Sequence, residues 1–89
     1  MYLDKCQYKE LLNPHRYEFT GPCVVTGKPY TVTIPDLELF RLRQGVHIQD
    51  ACITLSADDR EFILTGISPE GWDQMFNIEE EEENDELDS

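Results

Sequence analysis

Long apolar runs are missing from this chain of 89 residues. A helix needs about 20 consecutive apolar residues to cross a bilayer, and no window approaches that. The opening Met1-Tyr-Leu-Asp-Lys-Cys-Gln-Tyr-Lys-Glu10 has neither the basic start nor the apolar core of a secretion signal. The expectation is a cytoplasmic protein. Cysteine is sparse as well: Cys6, Cys23 and Cys52 lie far apart and form no C-x2-4-C pair. An odd count without a secretion signal argues for reduced thiols rather than a disulfide framework. Cys23 and Cys52 read as small core residues. Cys6, His15, Cys23, His47 and Cys52 lack the clustering that zinc ligands show, so no metal and no cofactor is expected.

Positive charge is the scarcest commodity. Seven Lys plus Arg face nineteen Asp plus Glu, a net charge of −12. Nucleic acid is bound by basic stripes that displace phosphate counterions, and there is none here, so direct nucleic-acid binding is not expected. Anionic membrane surfaces are disfavoured for the same reason. The Gly27-Lys28 pair lacks the G-x-x-x-x-G-K-[S/T] frame of a phosphate loop. No internal repeat is present, and the length allows one domain.

What the chain does have is sharp helix punctuation between Leu55 and Phe76. Ser56 has the chemistry of an N-cap, with Asp59 three residues on, and Gly66 supplies a left-handed C-terminal stop. Ser68 then caps again, Pro69 takes the first helical position, and Glu70 adds negative charge to the first turn. Ile67 and Trp72 have the spacing of a hydrophobic staple. The spacing predicts a helical hairpin carrying Phe62, Ile63, Leu64, Trp72, Met75 and Phe76.

Upstream, the period changes to two. Tyr17 and Phe19 alternate with Arg16, Glu18 and Thr20 as in a half-buried strand, which Gly21-Pro22 interrupts. Cys23-Val24-Val25 and Tyr30 to Ile34 read as the arms of a hairpin closed by Thr26-Gly27-Lys28-Pro29. Tyr30, Val32 and Ile34 share one face, Thr31 and Thr33 the other. From Pro35-Asp36 a helix runs through Leu37, Phe40, Arg41 and Gln44 to Gly45. A strand is the alternative, because Leu37, Glu38 and Leu39 alternate. Ile48, Ala51, Cys52 and Leu55 form the stripe of a short buried helix. Residues 2–12 fit either a short helix capped by Asp4 or an extended arm.

The reading is a small single α+β domain: a β-hairpin of two or three antiparallel strands packed on two to three short helices. Residues 1–15 form an N-terminal arm or short helix, 16–76 the core, and 77–89 a disordered acidic tail. The tail holds Glu79, Glu80, Glu81, Glu82, Glu83, Asp85, Glu86 and Asp88 with no cation, a charge of −8 that buries nothing.

No catalytic signature accompanies this architecture. Asp58, Asp59 and Glu61 are the acids a helix dipole favours in a first turn. Trp72, Tyr17, Tyr30 and Phe40 read as core aromatics rather than a nucleic-acid platform, which would need basic neighbours. The feature in excess of what folding needs is the tail. The leading expectation is a non-enzymatic binding protein that engages a basic surface on another protein, of the kind that otherwise holds nucleic acid. Trp72 and Phe76 would supply an apolar patch, and Glu79 to Glu83, Asp85 and Glu86 the charge. A rigid nucleic-acid mimic is less in keeping with a body whose eleven acids are spread among seven cations. The alternatives are a structural or assembly component of a virion, or an enzyme or enzyme subunit using His47 or Cys52. The sequence assigns no role to His15.

Gly45-Val-His-Ile-Gln-Asp-Ala51, Leu55 to Phe62, and Thr65 to Phe76, preceded by Cys23-Val-Val-Thr-Gly-Lys-Pro-Tyr30, form a recognisable pattern. Over roughly residues 20 to 76 the chain resembles a group of small phage and prophage proteins of unassigned function. The resemblance implies a virus-encoded accessory protein acting on a host protein in a bacterial cytoplasm, and it carries no functional residues with it.

Overall fold

A computed structural model describes residues 1–76 of the chain. It shows an α+β domain with a three-stranded antiparallel sheet in the order β1-β2-β3. The strands are β1 (Gln7–Leu11), β2 (Arg16–Pro22) and β3 (Pro29–Pro35). Helices α1 (Asp36–Arg43), α2 (Ile48–Ala51) and α3 (Ala57–Thr65) follow. A further helical run, α4, covers residues 69–76. The acidic run expected to be disordered lies outside the described residues.

The expected cooperation of a third strand with the hairpin is present, but the chain supplies it differently. Residues 2–12 are neither one short helix nor a free arm. Tyr2–Lys5 form a single 3-10 turn, and Gln7–Leu11 pair along β2 as an edge strand. Leu3 is buried, and the Tyr2 ring meets Phe62 edge-on at 5.3 Å. The N-terminal residues are therefore part of the core.

β2 also runs straight through Gly21-Pro22, which was expected to break it, and Cys23-Val24-Val25 is not a strand. Pro22 and Pro29 face each other as the last pair of the β2–β3 ladder, and one further bond, Cys23 N–H to Lys28 O, closes the turn. Beyond them the chain leaves the sheet and docks on the link between α3 and α4. Val24 N–H donates to the Gly66 carbonyl at 2.9 Å, and Ser68 N–H points to Cys23 Sγ at 3.3 Å.

The same prolines set the hydrogen-bonding parity of the whole sheet. Their pair is necessarily non-hydrogen-bonded, so by alternation Thr20, Glu18 and Arg16 turn their backbone groups away from β3 and toward β1. The flanking bonds Cys23 N–H to Lys28 O and Asp36 N–H to His15 O fall one pair outside, as this parity requires. Gln7, Lys9 and Leu11 then bond inward to β2. The N–H and C=O of Tyr8 and Glu10 face outward from the sheet.

One face of the sheet carries Phe19, Val32 and Ile34, all buried, and packs on Leu39, Leu42, Ile48, Ala51, Cys52, Phe62 and Ile63. Full burial of a side chain such as Phe62 contributes about 1.5–3 kcal/mol over leaving it in water. Val32 and Ile34 point inward and Thr31 is exposed, as the alternation predicts. α1 is a helix, but its buried side is rotated away from Phe40, which the sequence placed in the core. Glu38, Leu39 and Leu42 are buried, while Leu37 and Phe40 are 58% and 59% exposed. α2 is a single turn that buries Ile48 and Ala51, shorter than the stripe implied.

The punctuation of the helical hairpin lies where expected. Ser56 Oγ accepts from Asp59 N–H at 3.1 Å, and Gly66 ends α3 at φ +80°. A Cβ at Gly66 would lie 2.7 Å from the Tyr2 ring, so the residue is needed for space as well as for its dihedral. Ser68 Oγ accepts from Gly71 N–H at 3.2 Å and starts α4.

Candidate binding site

Two surfaces carry exposed aromatic side chains. The first is on α4, where Trp72 and Phe76, one turn apart, stack at 6.2 Å with 27° between their planes. Phe76 is 55% exposed. Trp72 is half-buried, and its Nε1 is sealed from solvent without an acceptor among the described residues. The helix is held to the β2–β3 connection by a Lys28–Glu70 pair at 3.0 Å, both ends largely in water. Such a pair, exposed at both ends, contributes little stability. Glu79, Glu80, Glu81, Glu82, Glu83, Asp85 and Glu86 follow in the chain and lie outside the described residues.

The second surface was not anticipated. Because β1 is an edge and α1 sits over β2 and β3, the inner face of the sheet is left uncovered at Tyr8. The gap is an open groove of about 340 Å³ between Tyr8 and Tyr17 on the sheet and Leu39, Phe40 and Arg43 on α1. Asp36 lines it too, so α1 runs along the groove from an acid at its first residue to a cation at its last. Tyr8 packs edgewise on Tyr17 at 6.1 Å and beside Phe19 at 5.7 Å, yet stays 65% exposed. The period-two spacing of Tyr8 and Glu10 was the available signal, and the choice between a short helix and an extended arm left strand pairing out.

His15 acquires a place here. Its Nε2 lies 2.6 Å from Glu10 Oε2 and its Nδ1 3.5 Å from Asp36 Oδ2, so the ring bridges β1 and the start of α1. Tyr17 Oη donates to the same Glu10 oxygen at 3.5 Å, and its ring lies 5.2 Å from the imidazole. Burial first, then the Glu10 carboxylate, pushes the Tyr17 phenol above its usual range. Two carboxylates on opposite nitrogens orient the imidazole, and among the described residues no nucleophile is hydrogen-bonded to it.

The two residues of the catalytic alternative do not converge on either surface. His47 is exposed and caps α2, its Nδ1 accepting from Gln49 N–H at 3.4 Å. Cys52 is at the opposite end of α2, fully buried, and burial pushes its thiol up. Cys23 is also buried, as expected of a core thiol, but polar groups surround it. Backbone N–H groups of Val25, Thr26 and Ser68 lie 3.3–3.5 Å from its sulfur. Burial alone would raise this thiol; donation from Ser68 and Thr26 outweighs it and brings the pKa down to about 6. Among the described residues no group of three or more His, Cys, Asp or Glu is placed to hold a metal. No described helix is long and apolar enough to cross a membrane.

Comparison with protein-family models, with curated proteins and with solved structures found no match.

Proposed function

We propose that this is a small non-enzymatic binding protein that engages a basic surface on another protein. By its resemblance in residue pattern we read it as a virus-encoded accessory factor acting on a host protein. The observation that carries the reading is the segregation of charge beside an aromatic ledge. Of the net −12, eight negative charges fall within Glu79–Asp88, shortly after the stacked Trp72–Phe76 pair in the sequence. Residues 1–76 are only mildly acidic, with eleven acids against seven cations. Dense negative charge speeds encounter with a cationic partner, and exposed aromatic rings supply the short-range contact that slows release.

Charge-driven association is screened over about 8 Å at physiological salt, so capture weakens steeply as salt rises. The test is affinity capture from a bacterial lysate with the full chain and with a full-length variant in which Glu79 to Glu83 are all glutamine. The proposal expects partners with basic surfaces to be retained by the first and depleted at least tenfold on the second. Equal recovery of the same partners by both proteins overturns it.

A further inference from the structure

The outer edge of β1 is an unfilled position in the sheet. Sheet parity leaves the N–H and C=O of Tyr8 and Glu10 facing outward, and among the described residues no backbone bond from another element reaches them. Their side chains lie on the groove face: Tyr8 lines the groove, and Glu10 holds His15 at its Asp36 end. We propose that β1 accepts an extended segment of the partner as a fourth, antiparallel strand, bearing the sequence Lys/Arg-x-aromatic. This deepens the reading above and rests on its premise that the partner is a cationic protein.

The pattern follows from geometry. An antiparallel strand pairs with β1 by exchanging bonds with Tyr8 and Glu10, the residues whose backbone faces out. The partner residues opposite them stand two apart and project onto the same face as the groove. The one opposite Tyr8 meets an exposed phenol ring with Phe40 across the groove, and an aromatic or long apolar side chain fills that space. The one opposite Glu10 meets the Glu10 and Asp36 carboxylates, each with a half-exposed side chain, and His15 between them. A cation satisfies that end. Because the strands are antiparallel, the cation precedes the aromatic by two residues.

A second copy of this chain fits the edge poorly. Pairing β1 with itself through Tyr8 and Glu10 sets Lys9 directly against Lys9 of the other copy in the central register. One register along, Glu10 faces Glu10. Like charges directly opposite are destabilising, and each copy brings a net charge of −12. The remaining register keeps only Tyr8 against Tyr8 as a bonded pair. Lys9 thus works as an edge-guarding lysine against self-association while leaving a strand of different sequence free to add.

The test uses the full chain and a synthetic peptide, acetyl-Ser-Thr-Lys-Val-Phe-Thr-Ser-amide. A second copy of the peptide is N-methylated at Lys and Phe. Titration is followed by amide chemical shifts and hydrogen exchange. The proposal expects the amides of Tyr8 and Glu10 to shift and gain protection, and the methylated peptide to bind at least tenfold more weakly. Binding of the methylated peptide within twofold of the parent overturns it, as does binding that leaves those two amides unmoved, or no binding. Protection of Tyr8 and Glu10 that rises with protein concentration alone overturns it in favour of a second copy. The glutamine variant of Glu79–Glu83 separates the two proposals. Retained strand addition with unchanged lysate capture sinks the charge reading and leaves this one standing. Charge-dependent capture with a silent β1 does the reverse.

Discussion

Glu38 and Thr54 hold the loop after α2 against α1 through a buried carboxylate. Glu38 is 5% exposed, and its Oε2 accepts from the Thr54 hydroxyl at 2.6 Å while Oε1 faces Thr54 N–H at 3.4 Å. A carboxylate in the core is tolerated only where its lone pairs are met, and here one threonine meets both oxygens. Thr54→Val removes the shorter bond and keeps the shape, and is expected to cost about 1–3 kcal/mol because the carboxylate is left under-satisfied. Urea unfolding of the single variants and of Glu38→Leu/Thr54→Val measures it. The double variant should lose clearly less than the sum of the singles.

The rotation of α1 gives a paired prediction. Leu39 is buried and Leu37 exposed, two residues apart on one helix. Leu39→Ala should cost about 2–5 kcal/mol, and Leu37→Ala about 0.5 kcal/mol or less. Equal losses in chemical denaturation would contradict the helix phase described here.

Gly66 joins the chain's beginning to its helical hairpin. It combines φ +80° with the Tyr2 ring 2.7 Å from where a Cβ would stand. Gly66→Ala should therefore cost about 1 kcal/mol for the left-handed backbone, and about 1–3 kcal/mol more for the clash. Tyr2→Ala costs packing on Phe62 but relieves the clash, so the double variant should lose clearly less than the sum of the two singles. Thermal unfolding of the two singles and the double reads the coupling.

Cys23 makes stability depend on pH. Its folded pKa of about 6 lies below the ordinary thiol value of 9.0. Between those values the unfolded chain binds more protons at this site than the native one, so stability rises with pH across that window. The contribution is complete above pH 9 and is lost as pH falls through 6. Cys23→Ala should flatten this slope, and thiolate absorbance near 240 nm in the native protein should titrate near pH 6 and vanish in the variant.

Tyr30 acts in the opposite direction at the alkaline end. Burial first, and then the bond its hydroxyl donates to Asp59 Oδ1 at 2.6 Å, raise its phenol well above 10.0. A raised phenol stabilises the fold below pH 10 and loses that contribution as pH climbs toward the folded value. Tyr30→Phe should therefore make stability, measured by urea unfolding at stepped pH above 10, fall less steeply with pH than it does in the wild type.

The readable parts of this protein were those whose cause is local. Ser56, Gly66, Ser68 and Pro69 act on backbone groups within a few residues, so helix boundaries there follow from composition. The alternation of Tyr30, Val32 and Ile34 likewise follows from the pleat. The groove was not readable, because Tyr8 and Phe40 meet across 32 positions of sequence and neither segment shows that it borders the other.

By itself the sequence determined the class of fold, the two ends of α3 and the start of α4, and the concentration of negative charge after Phe76. Each is a property of neighbouring residues or of a sum over them. Tertiary structure alone decided that residues 7–11 are a strand, since an edge strand of such polarity exists only while β2 is there to pair with it. It also decided which face of α1 is buried, because Leu37, Leu39, Phe40 and Leu42 offer two apolar faces and only the position of the sheet chooses between them.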